Sequence, residues 1–277
     1  MPPLSLAPLT INEAGPLDLI EAAAAGGFDA IALRVLGPPG VAPVPALAED
    51  RALVSALRRR LAETGRRVVS ATGIWLTPDF APGAVVPALA VAAELGASWC
   101  LAAGYDADPH RLADNFAQLC VAAARSGLAI ALEFMPYTEI RTVEAARRLI
   151  ADAGAANAGI VIDALHLARS GGTPAAVAAI EPGRIAYLQL CDAPLVRPPD
   201  LALRAESLGH RLYPGAGELP LFALMDALPE GLLIDLEAPC AADAHRPFAE
   251  RGRRAGAATR RFLASYRRHR AAAGGAP

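Results

Sequence analysis

An eightfold alternation between short apolar runs and longer amphipathic segments restricts the fold of this sequence more than any other feature. The apolar runs are rich in Val, Ile and Leu, as expected of strands buried on both faces of a parallel sheet. In the segments between them, apolar residues recur at helical spacing, for example at Leu53, Leu57 and Leu61. The predicted strands are Leu4 to Ile11, Phe28 to Val35, Arg67 to Leu76, Ser98 to Tyr105, Leu128 to Phe134, Gly159 to Ala164, Arg184 to Asp192 and Gly231 to Ala238. This pattern predicts an α/β fold built from βα units.

The number of units distinguishes a closed barrel from an open sheet. Eight βα units in 277 residues match the TIM (β/α)8 barrel, which takes about 250 residues. An open doubly wound sheet more often has roughly five or six strands. Its dinucleotide-binding form also carries a GxGxxG turn after the first strand, whereas residues 12–15 read NEAG here. We therefore predict an α/β protein with a TIM (β/α)8 barrel as a single domain over residues 1–277.

The composition excludes several classes of function. All 26 basic residues are Arg, and without Lys the chain cannot perform Schiff-base aldolase chemistry, anchor pyridoxal phosphate or form a P-loop. A net charge of -2 does not favour nucleic acid as a partner. The four cysteines form no CxxC pair, which is typical of a reducing cytosol. We see neither a secretory signal nor a membrane-spanning apolar stretch, so we expect a cytoplasmic protein without a membrane partner.

A ligand-type polar residue stands near the C-terminal end of each of the last four predicted strands. These residues are Glu133 in LEFMPY, Asp163 in IVIDALH, Gln189 in YLQLCD and Glu237 in LIDLEAP. Active sites of TIM barrels lie at this end of the strands. A single such residue is more often bonded to a loop or a helix N-terminus, but buried carboxylates on successive strands favour a shared cation. The sequence therefore predicts that these four residues hold a divalent metal.

Five segments together carry a family resemblance. LEFMPYTEIRT, IDALHLARSGG, YLQLCDAP, HRLYPGAGELPL and LIDLEAP resemble the sugar phosphate isomerase/epimerase family of xylose isomerase-like TIM barrels. The resemblance extends over most of the chain and is strongest from Leu128 to Pro239. It implies that Glu133 and Glu237 are metal ligands and also the catalytic acid–base pair, on opposite sides of the substrate carbon. It also implies that His166 faces the substrate and that Arg211 binds a substrate oxygen or carboxylate.

Gln189 and Asp192 bear on the chemistry of the predicted metal site. The ketose epimerases of this family place His where this chain has Gln189, and the resulting all-oxygen set favours Mn²⁺ or Mg²⁺ while leaving Co²⁺ and Zn²⁺ open. Asp192, at the end of the seventh predicted strand, is either an acceptor that orients a ligand from behind or a polar residue where the strand leaves the barrel.

The resemblance implies proton abstraction α to a carbonyl through a metal-stabilised enediolate, with a carboxylate on each face to move the protons. The leading hypothesis is a metal-dependent isomerase or epimerase of a sugar-like hydroxy-ketone. The alternative is a dehydratase of the inosose or dehydroshikimate type, which shares the first step and then expels a β-hydroxyl. A DNA-repair endonuclease would need a His-rich zinc cluster, and the chain has only 5 His; a noncatalytic binding module is a further alternative. We expect a small-molecule sugar, polyol or keto-acid as substrate, with a homodimer as the commonest form that an oligomer of such a chain takes.

Overall fold

Eight strands follow one another in chain order around a closed barrel, within residues 2–37 and 47–274 that the computed structural model describes. Every neighbouring pair is parallel, and the last strand pairs with the first through Leu4↔Ile234 and Leu6↔Leu236. The strands are β1 (Leu4–Leu6), β2 (Ala30–Arg34), β3 (Arg67–Leu76), β4 (Trp99–Gly104), β5 (Ala129–Glu133), β6 (Ala158–Asp163), β7 (Ile185–Leu190) and β8 (Ile234–Leu236). The predicted TIM barrel is confirmed.

The helices cover the outside of the barrel with their apolar faces. In the second helix, for example, Leu57 and Leu61 are buried, whereas Arg58 is exposed. The side chain of Asp50 caps the N-terminus of this helix by accepting a hydrogen bond from the Leu53 amide. The α-helices of the described ranges are α1 (Pro16–Gly26), α2 (Arg51–Thr64), α3 (Pro82–Glu94), α4 (Pro109–Arg125), α5 (Val143–Asp152), α6 (Ala164–Arg169), α7 (Pro174–Ala178), α8 (Asp200–Gly209), α9 (Leu221–Asp226) and α10 (Phe248–Gly274).

Several strands are shorter than the apolar runs that predicted them. The run from Leu4 to Ile11 is a strand only as far as Leu6, because Pro8 begins a 3₁₀ helix and has no N–H to continue a sheet ladder. At the sixth strand, the Asp163 side chain accepts a hydrogen bond from the backbone N–H of His166, so a helix begins at Ala164 where the strand was predicted to end. In both places, a local backbone signal ends the strand before the apolar run ends.

The first and last helices pack against each other at glycines. A Cβ on Gly252 would overlap the carbonyl oxygen of Ala22, and a Cβ on Gly256 would overlap that of Gly26. The two helix backbones therefore approach more closely than larger side chains would allow. Helix α10 is long, but no helix of the described ranges is both long and apolar enough to cross a bilayer.

Candidate active site

The four residues predicted as metal ligands all lie at the C-terminal mouth of the barrel. Glu133 and Asp163 are the last residues of β5 and β6, Gln189 lies near the end of β7, and Glu237 directly follows β8. All four are buried, with exposed fractions of 6%, 0%, 1% and 7%, respectively. Three carboxyl groups and one amide therefore share a poorly hydrated space.

Arg211 reaches this space from the connection between β7 and β8. Backbone bridges flank it on both sides, because Leu212 pairs with Asp192 and His210 pairs with Cys240. Its guanidinium is 1% exposed. The two bridges hold the backbone at Arg211 against the strand ends, so that its long side chain extends inward.

The Arg211 guanidinium connects two of the carboxyl groups. Nη1 donates to Asp163 Oδ2 at 2.6 Å, and Nη2 lies 3.2 Å from Glu237 Oε2. Nη2 is also 3.4 Å from His166 Nε2 and 3.2 Å from Ser207 Oγ. The structure thus places Arg211, predicted to bind substrate, in direct contact with two predicted metal ligands.

His166 lies beside the third carboxyl group. Its Nε2 is 3.7 Å from Glu133 Oε1, and one possible ligand atom from each of Glu133, Asp163 and His166 lies within 4.8 Å of the others. Burial is the largest effect on the imidazole and lowers the pKa of His166 to about 4. At neutral pH His166 is therefore uncharged, which is the form that can bind a metal or accept a proton.

The carboxyl groups carry strongly perturbed pKa values. Burial, reinforced by the charges of Glu237 and Asp163, raises the pKa of Glu133 well above its ordinary value. Burial also raises the pKa of Glu237 to about 7, although Arg211 opposes this shift. For Asp163, burial acts in the same direction, but Arg211 and His166 together outweigh it and keep the pKa below its ordinary value. Arg211 keeps Asp163 ionised but leaves Glu133 and Glu237 with raised pKa values, so a further positive charge in the site would favour the ionised forms of both glutamates.

Gln189 and Asp235 supply buried oxygens that have no hydrogen-bond partner in the described ranges. These atoms are Gln189 Oε1 and both carboxylate oxygens of Asp235. An unpartnered amide oxygen on the strand next to that of Asp163 fits a hard divalent cation, for which oxygen ligands are preferred. Asp235 was not predicted from the sequence, although strand alternation places it on the same barrel face as Glu237, two residues later. Burial raises the pKa of Asp235 to about 8.

Comparison with known proteins identifies the fold family. The family model for xylose isomerase-like TIM barrels matches residues 20–262. The chain belongs to this family.

The proteins to which this chain is similar include a dehydratase, a protein with a bound zinc atom and an epimerase. A 3-dehydroshikimate dehydratase of Pseudomonas aeruginosa is 33% identical over 115 residues, which are 41% of this chain and 18% of that protein. The crystal structure of IolI protein with a bound zinc atom has a TM-score of 0.76 at 18% identity, covering 96% of this chain and 99% of that one. An Escherichia coli 3-keto-D-glucoside 4-epimerase has a TM-score of 0.71 at 18% identity, covering 96% and 99%.

A pocket above the buried carboxyl groups gives this xylose isomerase-like barrel a place for a small molecule. Trp75, Tyr105 and Tyr137 form part of its wall, and Arg34 and Arg204 also line it. Trp75 and Tyr105 meet edge to face, with ring centroids 5.0 Å apart. Aromatic faces and guanidinium groups together suit an oxygen-rich or acidic ligand.

Arg34 was missed in the sequence, where the only signal is a basic residue at the end of an apolar run. Its Nη2 donates to Asn12 Oδ1 at 2.8 Å, and its Nη1 donates to the Asn12 carbonyl at 3.3 Å. Both acceptors are neutral, and Arg34 forms no ion pair with an acidic side chain of the described ranges. Burial lowers the pKa of this guanidinium, and the Glu237 charge partly opposes that effect. Arg34 thus presents positive charge to the pocket.

Asp192 organises the loop after the Arg211 segment. Its Oδ2 accepts backbone hydrogen bonds from Gly215 and Gly217, both at 2.9 Å, and its Oδ1 accepts one from Leu219 at 3.1 Å. The backbone of Asp192 also pairs with Leu212, next to Arg211. Apart from the neighbouring Ala193 amide, the groups of the described chain that hydrogen-bond the Asp192 side chain lie in this loop. Any effect of Asp192 on the predicted metal ligands would therefore pass through the position of Arg211.

Proposed function

We propose that this chain is a divalent-metal-dependent enzyme that removes a proton α to the carbonyl of a small hydroxy-ketone or hydroxy-keto acid. One observation carries the proposal: three buried carboxyl groups lie together at the barrel mouth. Glu133 and Glu237 line the open pocket there, and Asp163 lies beside Glu133 and is connected to Glu237 through Arg211. The Gln189 amide oxygen, on the strand next to that of Asp163, is buried without a partner among the described residues. A divalent cation beside Arg211 would offset the cost of burying these carboxyl groups. A pocket above them lets substrate oxygens reach the same cation.

The metal would be held by Glu133, Asp163, Gln189 and Glu237, and its oxygen donors favour Mn²⁺ or Mg²⁺. The zinc of the IolI structure keeps Zn²⁺ among the metals to test. When bound, the ion would supply positive charge where negative charge develops on the substrate oxygens.

The side chains of the site would bind the substrate and move its protons. Glu133 and Glu237 would act as base and acid on opposite faces of the substrate, and a Glu237 pKa of about 7 suits proton exchange near neutral pH. The neutral imidazole of His166 would hydrogen-bond a substrate hydroxyl. Arg211 would hold Asp163 and Glu237 in place and offer its remaining face to a substrate oxygen.

Two outcomes can follow the same first step, and two observations favour dehydration. The Pseudomonas relative at 33% identity is a dehydratase, and Arg34 offers an acidic substrate a positive charge beside neutral partners. In dehydration, one carboxylate takes the α-proton, the electrons of that C–H bond form the new C=C bond, and the β-hydroxyl leaves as water after protonation. Isomerisation or epimerisation, in which a proton returns to carbon, is the second candidate; the fold shared with the E. coli epimerase favours it.

Proton NMR in D₂O would test both candidates with one panel. Protein loaded with Mg²⁺ would be incubated with keto-sugars, keto-inositols and hydroxy-keto acids; loss of the α-proton signal reports enolisation, and a conjugated enone absorbance reports dehydration. Mn²⁺-loaded protein would be assayed by ultraviolet absorbance, because this ion broadens proton resonances. Glu133→Gln is expected to lower the exchange rate about 10²- to 10⁴-fold, because it removes the base. Glu94→Gln, in a surface pair with Arg51, is the matched control and is expected to leave the rate unchanged.

The two parts of the proposal fail in different ways. Wild-type protein that binds no divalent ion by calorimetry and exchanges no substrate proton would contradict the whole proposal. Binding of a panel compound without deuterium exchange would instead indicate a noncatalytic binding module.

A further inference from the structure

One row of the barrel interior contains most of the buried polar atoms that lack partners. Of the five such side-chain atoms in the described ranges, four belong to Ser5, Gln189 and Asp235. Ser5 and Gln189 are the Cα partners of Asp235 on the two neighbouring strands, β1 and β7. Buried polar groups are nearly always hydrogen-bonded in proteins. The buried polar atoms of this row therefore need hydrogen-bond partners. Because Ser5, Gln189 and Asp235 are paired through their strands, these three side chains are the nearest candidates for one another.

The chemistry of the row is complementary. Whether ionised or protonated, the Asp235 carboxyl group has an oxygen that accepts hydrogen bonds, and the Ser5 hydroxyl and the Gln189 amide nitrogen can both donate. The oxygen and nitrogen ends of a glutamine amide have nearly the same shape, so both orientations occupy the same space. With Nε2 toward Asp235, the amide leaves Oε1 free to face Asp163, which is the Cα partner of Gln189 on the opposite side.

We propose that Asp235 is a positioning residue for Gln189: its carboxyl group accepts hydrogen bonds from the Gln189 amide and the Ser5 hydroxyl, and so directs Gln189 Oε1 toward the metal. The inference rests on the proposed function, because it assigns a partner to one of the four metal ligands. Asp235 precedes Glu237 by two residues and faces the same interior, but it does not line the pocket, so it acts from beneath the site. Hydrogen-bond partners of metal ligands typically change metal affinity about 10- to 100-fold.

Calorimetric titration of the metal-free protein with Mn²⁺ tests this role. Asp235→Leu removes the acceptor at similar volume and is expected to weaken binding about 10- to 100-fold. Asp235→Asn keeps an acceptor oxygen without the charge and is expected to stay close to the wild-type affinity. If the Leu variant does not fold, Asp235→Ala takes its place. Tyr187→Phe is the matched control, because Tyr187 lies in the same barrel interior but hydrogen-bonds Ser70, at 3.2 Å.

A double-mutant cycle separates positioning from a general effect on the site. In a Gln189→Ala background, Asp235→Leu is expected to cause no further loss of Mn²⁺ affinity, because the residue it positions is gone. In metal-free protein, the side-chain amide resonances of Gln189 should shift in Asp235→Leu and not in Tyr187→Phe. An equal loss of affinity in both backgrounds, or an equal loss with Asn and Leu, would overturn the inference and leave the proposed function intact. Wild-type protein that binds no divalent ion would overturn both.

Discussion

Replacing Arg211 by Met measures how much the buried guanidinium stabilises the folded protein by offsetting the negative charge of the carboxyl groups in the candidate site. The side chains of Arg211 and Asp163 are 1% and 0% exposed, and that of Glu237 is 9% exposed, so water screens these contacts poorly. Removing one partner of a buried ion pair typically costs about 3–5 kcal/mol, because the remaining charge stays buried without compensation. With an unfolding entropy of about 2.1 cal/mol/K per residue, this loss lowers the melting temperature of a 277-residue chain by about 5–9 °C.

The assay is thermal unfolding of metal-free protein, monitored by circular dichroism at neutral pH and at acidic pH. Arg211 keeps the pKa of Asp163 below its ordinary value of about 4, so its stabilisation is present above that pH and is lost as the pH falls through the lower folded-state value. The deficit of Arg211→Met is therefore expected to shrink in acid. Added Mn²⁺ should restore part of the stability, because it supplies the missing positive charge.

The control for this experiment is Arg51→Met, which removes a guanidinium that is 62% exposed and paired with Glu94. Solvent screens that pair, so the melting temperature of the variant should equal that of the wild type. If Arg211→Met lost less than about 1 kcal/mol in metal-free protein, the central role of the buried ion pairs would be refuted.

Two further predictions follow from the site and from the helix packing. The pKa of Glu133 is raised well above its ordinary value and that of Glu237 to about 7, so the folded protein binds more protons than the unfolded chain, and the stability of the metal-free protein is expected to fall as the pH rises from about 4.5 to about 7. Because these protons must leave before a metal binds, the affinity for Mn²⁺ is expected to rise from about pH 6 to about pH 8. Calorimetry in two buffers would detect the proton release, and an affinity that does not depend on pH would contradict the prediction. Gly252→Ala would force a Cβ into the Ala22 carbonyl and is expected to lower the free energy of unfolding in urea by about 1–3 kcal/mol, whereas Gly83→Ala, which meets no atom within 4 Å, should change it little.

The sequence predicted those parts of the molecule that repeat. The βα alternation indicated the barrel, and the recurrence of polar residues near strand ends located Glu133, Asp163, Gln189 and Glu237 at one mouth. Both arguments work because parallel strands end at the same edge, whatever the details of the loops.

Features that depend on long-range geometry were not readable from the sequence. The insertion of Arg211 between Asp163 and Glu237 depends on two backbone bridges formed after the chain has folded. Asp235 lies within an apolar run of the sequence and was not predicted to have a role. Strand alternation shows which face of the barrel it occupies, but not that the polar side chains beside it lack hydrogen-bond partners. In the sequence, Arg34 looks like any basic residue at the end of a strand. Only the structure shows that its hydrogen-bond acceptors are both neutral.

The glycine contact between α1 and α10 has a consequence for the synthesis of the chain. Thr10 hydrogen-bonds the carbonyl of Leu236, 226 residues later, so the barrel cannot close until the ribosome has made its last strand. At about 5–20 residues per second, this delay is roughly 10–45 seconds. During that time β1 offers an open sheet edge and α1 an uncovered face around Gly26. Larger side chains at Gly252 or Gly256 would slow the docking that ends this exposure, and the yield of soluble protein in the cell should fall further than the melting temperature of the purified variant suggests.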